Sequence, residues 1–318
     1  MSIIETALQK ARAQAQAKSG VVAEPYAADV VPPGTGSELL HASTESQRPT
    51  TSRKDDSPTA RDLKAIMHID MERLRSLGRL GPAAMTRQTE DEMRRIKWPL
   101  LSAIAGRDGA APARNNVVLV TSATPGEGKT FTSLNLAMSI VRDREMRVIL
   151  VDGDVARPGL TPALGLEGRP GLNDILDDVD MDVGAVTYQT DVDGLFFIPA
   201  GKWHEESPEF FAGTRMPQVI EQLSRRVGNG VVILDSPPLL ATNEAQAATR
   251  YVGLVLLVVR ADVTEQRAVV DALALVDKST PVKAVLNYVR PSAVTRYYGQ
   301  YYYGQDYGRG RQTGQGGT

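Results

Sequence analysis

The segment TSATPGEGKT, from Thr121 to Thr130, constrains the fold of this chain more than any other feature. An apolar, β-branched run precedes it and an amphipathic stretch follows it, so the sequence predicts a strand, a loop and a helix in that order. Gly126 and Gly128 allow the loop to turn its backbone N–H groups towards phosphate oxygens, and the following helix adds its N-terminal dipole. The segment therefore predicts a phosphate-binding loop.

The residue types of this loop suggest how it would hold a nucleotide. Lys129 is expected to reach the β- and γ-phosphates, and the Thr130 hydroxyl is expected to bind Mg²⁺. The usual pattern has a first glycine where this chain has Ala123, so the match is one residue short. The predicted nucleotide contacts from the loop are Pro125, Gly126, Glu127, Gly128, Lys129, Thr130 and Phe131.

Two further apolar runs end in aspartate. VILVD ends at Asp152, with Asp154 two residues later, and VVILD ends at Asp235. Continuous Val, Ile and Leu runs indicate strands of a parallel sheet that is covered on both faces. The carboxyl ends of such strands meet at the edge where the phosphate loop lies, and carboxylates there can hold Mg²⁺ or accept a proton from a hydroxyl. We predict that Asp235 is the Walker-B-type metal residue.

Short β-rich runs alternate with amphipathic stretches through most of the chain, which predicts an α/β fold of the P-loop NTPase class, with three layers and a mainly parallel sheet. The predicted strands are Asn116–Thr121, Arg147–Asp152, Leu195–Pro199, Val231–Asp235, Gly253–Val259 and Val282–Asn287. The predicted helices are Asp91–Ala105, Lys129–Val141, Met216–Val227, Glu244–Tyr251 and Glu265–Val276. In related P-loop folds a residue at the position of Asn287 contacts the adenine, and we expect the same here; the alternative is that this asparagine only ends the strand at a turn.

The chain divides into three predicted zones. Residues 1–88 combine N-terminal helical segments, one of them from Ala60 to Leu77, with a linker rich in Pro, Ser and Thr. Residues 89–290 form the P-loop domain, and residues 291–318 form a flexible tail.

Composition limits the compartment and the partners. The net charge of −2 gives no reason to expect a nucleic-acid partner. The chain has no cysteine, which excludes disulfides and fits a reducing cytoplasm. The longest apolar run, from Val252 to Val259, is too short to span a bilayer. We expect a soluble cytoplasmic protein whose contact with a membrane is peripheral.

Six of the ten tyrosines lie between positions 297 and 307. Polar residues and glycines interrupt them at no helical or strand period, so the run cannot bury its rings by folding on itself. A phenol can accept a phosphoryl group, and a tail of phenols behind a phosphate-binding loop suggests that the chain phosphorylates itself. The alternative is a low-complexity, aggregation-prone tail. The predicted acceptors are Tyr297, Tyr298, Tyr301, Tyr302, Tyr303 and Tyr307.

The three strand motifs and the tyrosine cluster, in this order, resemble the bacterial tyrosine kinases of capsule and exopolysaccharide loci. Those proteins carry a Walker A loop, a second Walker-like strand, a Walker B strand and a C-terminal tyrosine cluster. The segments RIKWPLL, DGDVARPGL and PPLLATNEA are similar to the branch in which the membrane chain-length-determinant protein is a separate polypeptide. The resemblance implies an ATP- and Mg²⁺-dependent protein-tyrosine autokinase that regulates exopolysaccharide biosynthesis or export.

The resemblance also implies roles for the catalytic set of Lys129, Asp152, Asp154 and Asp235. Lys129 would bind the phosphates, Asp152 would help to activate the incoming tyrosine, and Asp154 and Asp235 would organise the metal together with Thr130. The implied partners are the membrane chain-length-determinant protein, as an activator at the inner membrane, and an opposing tyrosine phosphatase.

Family members form rings through a Glu-x-x-Arg-x-x-Arg helix. This chain has Glu92 and Arg95 at the first two positions and Trp98 at the third, so a ring is expected with altered contacts, the alternative being an amphipathic cover helix. The tail is about 28 residues long and would span roughly 30 Å as a flexible coil, which is enough to reach a neighbouring subunit.

Two other classes of function stay open from the sequence. A positioning ATPase of the MinD/ParA type shares the predicted fold but carries a second lysine early in its loop, where this chain has Thr124. A non-catalytic nucleotide-binding scaffold would not need the complete set of loop and carboxylate residues.

Overall fold

The computed structural model describes residues 66–83, 86–105 and 116–289; the predictions for the first helix, the linker and the tyrosine-rich tail lie outside these residues. The strands are β1 Val117–Ser122, β2 Arg147–Asp152, β3 Tyr188–Gln189, β4 Leu195–Ile198, β5 Gly230–Asp235, β6 Leu254–Arg260 and β7 Val282–Asn287. The helices are α1 Met71–Ser76, α2 Thr86–Ile104, α3 Lys129–Ile140, α4 Leu160–Ala163, α5 Leu172–Asp177, α6 Val183–Val186, α7 Ser207–Ala212, α8 Arg215–Val227, α9 Asn243–Ala248 and α10 Gln266–Leu275.

The strands form one sheet in the order β3-β4-β2-β5-β1-β6-β7. Every pairing is parallel except that of β3 with β4. The phosphate-loop strand β1 lies beside β5, and β5 lies beside β2. The carboxyl ends of these three strands therefore meet, and this arrangement confirms the predicted mainly parallel α/β fold.

Both faces of the sheet are covered, as the burial of β1 and β5 along their whole length shows. Val118 and Val120 of β1 pack with residues of α1, α2 and α3, whereas Val117 and Leu119 pack with residues of α8, α9 and α10. This alternation follows from the two-residue period of a strand. Helix α8 shows the matching helical period, since its buried residues are Met216, Val219, Ile220, Leu223 and Val227. The predicted three-layer architecture is confirmed.

The predicted helix from Ala60 to Leu77 is confirmed for Met71–Ser76 and is wrong for the described residues before Met71. Met67 instead makes a parallel bridge to Thr190, and the helix begins at Met71. The N–H of Met67 donates to the Gln189 carbonyl at 2.8 Å, so the edge of the sheet takes the backbone groups that a helix would have used. Asp70 then caps α1 by accepting from the Arg73 N–H.

The segment that contains α1 packs on the P-loop domain. Ile69 and Leu74, which lie in the zone predicted for residues 1–88, are buried in the same cluster as residues of α2 and α3. The domain boundary at residue 88 stays a prediction. No helix in the described ranges has both the length and the apolar character needed to cross a bilayer.

Candidate nucleotide and metal site

The loop between β1 and α3 has the backbone conformation that its glycines predict. Gly126 has φ +81° and Gly128 has φ +92°, both in the left-handed region that side chains avoid. Gly128 is the N-cap of α3, so the helix begins at Lys129 and directs its N-terminal dipole towards the loop. A Cβ atom at Gly128 would also collide with Nδ2 of Asn287. These two glycines permit the turn that an anion-binding loop requires.

Glu127 holds the loop through its side chain. Its carboxylate is buried, and it accepts from the Thr124 N–H at 2.8 Å and from the Thr264 hydroxyl. The Asn287 amide donates to the Glu127 carbonyl at 3.0 Å. The ends of β6 and β7 are therefore bonded to the loop through Glu127, which leaves its backbone N–H as the group for the predicted nucleotide contact. The amide nitrogen of Asn287 thus already has one partner in the loop. The predicted adenine contact of Asn287 stays a prediction.

The other predicted loop contacts differ in exposure. Pro125 and Gly126 are exposed, and Lys129 and Thr130 are half-buried at the start of α3. The ring of Phe131 packs against the core between α3 and the sheet, so its contribution to a nucleotide site would come from its backbone.

Asp152 and Asp235 end two neighbouring strands and are direct partners across them. Both side chains are buried. Oδ2 of Asp152 accepts from the Leu160 and Thr161 backbone N–H groups at 3.0 and 2.7 Å and from the Thr161 hydroxyl at 2.8 Å. Oδ1 of Asp235 accepts from the Ser133 hydroxyl at 3.0 Å.

Burial changes the proton affinity of these two carboxyls. It raises the pKa of Asp152 to about 6, against the hydrogen bonds from Thr161 and Leu160. It raises the pKa of Asp235 to about 7, and the charge of Asp152 acts in the same direction. Hydrogen bonding by Thr130 and the charge of Lys129 oppose the shift at Asp235. These groups therefore lie within electrostatic range of one another.

Asp154 belongs to the same edge of the sheet. Burial raises its pKa, while the charges of Lys129 and Arg157 and a hydrogen bond from the Arg157 N–H lower it. That N–H donates to Oδ1 of Asp154 at 3.1 Å. The four predicted catalytic residues, Lys129, Asp152, Asp154 and Asp235, thus converge where β2 and β5 end and α3 begins.

The donor set fits Mg²⁺. Oδ1 of Asp152 is a buried oxygen without a hydrogen-bond donor, and the carboxyl of Asp235 lies beside it in the sheet. A cation held by Asp154 and Asp235 would offset the repulsion between the buried charges of Asp152 and Asp235. Across the described ranges there is no cluster of three or more His, Cys, Asp or Glu side chains suited to a metal. Mg²⁺ is commonly held by one or two carboxylates plus substrate phosphates, so Thr130, Asp154 and Asp235 fit as protein ligands.

Two residues at this site were missed from the sequence. Ser133 lies one helical turn after Lys129, and that spacing could have indicated that its hydroxyl reaches the same strand ends. Thr161 lies nine residues after Asp152 in a short turn of helix, where no motif or period predicts its bond to that carboxylate. The predicted acceptors from Tyr297 to Tyr307 lie outside the described residues.

The predicted ring segment occupies one exposed face of α2. Glu92, Arg95 and Trp98 are exposed, whereas Met93 and Leu100 on the opposite face are buried in the core. Trp98 keeps 63% of its surface accessible. The segment therefore covers the core with one face and presents a largely exposed Trp98 on the other.

Among the sequence relatives is the tyrosine-protein kinase ptk of Acinetobacter johnsonii, 31% identical over 155 residues, which are 49% of this chain and 21% of that protein. The tyrosine-protein kinase etk of Escherichia coli K12 is 31% identical over 185 residues, which are 58% of this chain and 25% of that protein. The chain spans about a fifth to a quarter of the length of these curated relatives. No protein-family model matches it.

Solved structures of two tyrosine kinase domains are similar to this chain over more than half of its length. The BceF tyrosine kinase domain superposes with a TM-score of 0.54 and 30% identity, covering 68% of this chain and 87% of that one. The kinase domain of the Escherichia coli tyrosine kinase ETK superposes with a TM-score of 0.54 and 28% identity, covering 59% and 72%.

Proposed function

Because this chain belongs to the bacterial tyrosine kinase family of exopolysaccharide loci, we propose that it is an autokinase. It would transfer the γ-phosphoryl group of ATP to tyrosines near its own C-terminus. The observation that carries this proposal is the convergence of Lys129 at the start of α3 with Asp152, Asp154 and Asp235 at the ends of β2 and β5.

In the proposed reaction each side chain has one task. Lys129 binds the β- and γ-phosphates, and the loop backbone surrounds them. Asp152 accepts the proton of the tyrosine hydroxyl while the tyrosine oxygen forms a bond to the γ-phosphorus. The bond between that phosphorus and the bridging oxygen breaks, and ADP is released. Thr130, Asp154 and Asp235 would hold Mg²⁺, which neutralises the charge that develops on the phosphates.

The proposed acceptors are the six tail tyrosines Tyr297, Tyr298, Tyr301, Tyr302, Tyr303 and Tyr307. The 29 residues that follow Val289, which the sequence predicts to be a coil, would span roughly 30 Å. That span supports transfer between neighbouring subunits of a homo-oligomer. The exposed face of α2 with Glu92, Arg95 and Trp98 is the proposed contact surface of such a ring. Each phosphate would add about −1.5 to −2 charges to the tail, so heavy phosphorylation would loosen the assembly.

The proposed setting is the cytoplasmic side of the inner membrane, where the protein would regulate exopolysaccharide biosynthesis or export. Its partners there would be a separate membrane chain-length-determinant protein, acting as an activator, and an opposing tyrosine phosphatase. A relative from Klebsiella pneumoniae is named "Putative tyrosine-protein kinase in cps region", and this name supports a role in such a locus.

The proposal is tested by measuring ATP hydrolysis and phosphotyrosine in the same sample of the purified full chain with Mg²⁺-ATP. A truncation after Val289 serves as the matched control, because it keeps the described domain and removes every proposed acceptor. We expect phosphotyrosine in the full chain, none in the truncation, and ATP hydrolysis in both. Hydrolysis without phosphotyrosine in the full chain, also with the cytoplasmic segment of the membrane partner added, would favour a positioning ATPase.

A further inference from the structure

The two oxygens of the Asp152 carboxylate have unequal surroundings. Oδ2 accepts three hydrogen bonds, from the Leu160 N–H, the Thr161 N–H and the Thr161 hydroxyl. Oδ1 is equally buried and accepts none. A carboxylate with three donors on one oxygen has a fixed orientation, so the other oxygen is its single free acceptor.

The Thr161 hydroxyl has a second bond that connects Asp152 to another part of the site. It accepts from the Ala200 N–H at 2.9 Å while it donates to Asp152. Ala200 follows β4, the strand next to β2, and begins the loop 200–206 at the same edge of the sheet. The hydroxyl is buried and uses its donor and one acceptor site within the chain.

The loop that starts at Ala200 is held by hydrogen bonds to two residues of α5. The Asn173 N–H donates to the Ala200 carbonyl at 2.9 Å, and the Asn173 side chain donates to the Ser207 hydroxyl at 2.7 Å. The Lys202 N–H donates to Asp174 at 3.2 Å. Thr161 therefore joins Asp152 to a loop that other hydrogen bonds already hold in place. These bonds fix the orientation of the Thr161 hydroxyl.

We propose that Thr161 is a positioning residue for phosphoryl transfer: its hydroxyl fixes the Asp152 carboxylate so that Oδ1 faces the reacting hydroxyl. This inference rests on the proposed kinase function. Without the hydroxyl, Oδ2 keeps two backbone donors, the carboxylate gains freedom to rotate about its Cβ–Cγ bond, and the Ala200 N–H loses its acceptor. Transfer is then slowed because the accepting oxygen is misplaced for part of the time.

The test uses three full-chain variants. Thr161→Val removes the hydroxyl at nearly constant shape, and Thr161→Ser keeps it. Thr249→Val is the matched control, because Thr249 is also buried and its hydroxyl also donates one hydrogen bond and accepts one, here to the Gln246 carbonyl and from the Asp277 N–H. Thr249 lies just before β6 begins, at the amino edge of the sheet and away from the proposed site.

For each variant we would measure the rate of tyrosine phosphorylation at saturating Mg²⁺-ATP, the half-saturating Mg²⁺-ATP concentration, the affinity for ADP and amide exchange at Ala200. We expect Thr161→Val to lower the maximal rate about tenfold or more. The half-saturating concentration and the ADP affinity should change less than about twofold, because the hydrogen bonds of the Thr161 hydroxyl are made with Asp152 and Ala200 and not with the phosphate loop. Amide exchange at Ala200 should accelerate. Thr161→Ser should restore both the rate and the protection of Ala200.

The outcomes separate this inference from the function on which it rests. Absence of phosphotyrosine in the unaltered chain would refute the proposed function itself. With an active unaltered chain, a Thr161→Val variant of normal maximal rate would overturn the positioning role. An equal loss of rate in Thr249→Val would also overturn it, because the effect would then be general destabilisation. If Thr161→Val does not fold, Thr161→Ala against Thr161→Ser decides the question by the same comparison.

Discussion

Asp152 and Asp235 are direct partners in adjacent parallel strands, and both carboxyls are buried. The Gly153 N–H donates to the Asp235 carbonyl at 2.7 Å, which keeps the two strand ends together. Two acidic groups so close in a dry environment destabilise the folded chain when both are ionised. The proposed Mg²⁺ ion and the proposed phosphoryl transfer would give this pair a role other than stability.

The pair makes stability depend on pH. The pKa of Asp235 is raised from 3.8 to about 7, and that of Asp152 from 3.8 to about 6. Raised acid pKa values favour the folded state below about pH 4, and that contribution is lost as the pH rises through about 7. Without Mg²⁺ or nucleotide, Asp235→Asn should therefore stabilise the chain at pH 8 by on the order of 4 kcal/mol, since the pKa of Asp235 is raised by roughly three units and each unit is worth about 1.4 kcal/mol.

This effect is measured by denaturant unfolding of the variant and the unaltered chain at pH 5 and pH 8 in EDTA. The stabilisation should shrink towards pH 5, where both carboxyls of the folded chain are largely protonated. A variant that is less stable than the unaltered chain at pH 8 would contradict the assigned repulsion.

Mg²⁺ should stabilise the nucleotide complex through Asp154 and Asp235. We expect Mg²⁺ with ADP to raise the melting temperature more than ADP alone, because the cation offsets the buried negative charge. Asp154→Asn should abolish most of this increment. Asp177→Asn, an exposed aspartate on α5, should leave it unchanged. Equal increments in the two variants would show that Asp154 does not hold the metal.

Gly126 and Gly128 provide a matched pair for the phosphate loop. Both have positive φ, but a Cβ meets open space at Gly126 and the Asn287 amide at Gly128. Gly126→Ala should cost about 1–2 kcal/mol of unfolding free energy from backbone strain alone. Gly128→Ala should cost more and should abolish ADP binding, because either Asn287 or the loop must move. Chemical denaturation and ADP titration measure both effects, and equal costs at the two positions would refute the close approach of Asn287.

We expect Glu127 to contribute to nucleotide binding, although its carboxylate is buried and bonds only to groups of the chain itself. Glu127→Gln keeps the shape but has one acceptor oxygen for the Thr124 N–H and the Thr264 hydroxyl together. One buried donor then loses its partner, at a cost of about 1–3 kcal/mol. We expect about tenfold weaker ADP affinity by calorimetry, with Glu167→Gln as the exposed control. Unchanged affinity would mean that the loop keeps its shape without this carboxylate.

The sequence predicts the central elements well because their signals are local. The strands Arg147–Asp152 and Val282–Asn287 match the structure residue for residue, since apolar β-branched runs end at polar turn residues. The start of α3 at Lys129 follows from the glycine before it. Asp152 and Asp235 could be placed together because parallel strands share their carboxyl edge.

Features that depend on tertiary contacts could not be predicted in this way. The two-residue strand β3 is too short for any period, and Met67 leaves its helical pattern because the edge of the sheet accepts it. The burial of Glu127 is set by Thr264, a residue far along the chain. Thr161 reaches Asp152 through a turn that no motif describes.

Phosphoryl transfer to the tail is tested by a mass-spectrometric map of phosphotyrosine after incubation of the purified chain with Mg²⁺-ATP, beside Lys129→Met. We predict phosphate on tyrosines between positions 297 and 307 in the unaltered chain, and a loss of at least about a hundredfold in the variant with its fold retained. Equal phosphorylation in Lys129→Met would contradict the role proposed for Lys129. An unmodified tail in the presence of the proposed activating membrane segment would contradict the autokinase function.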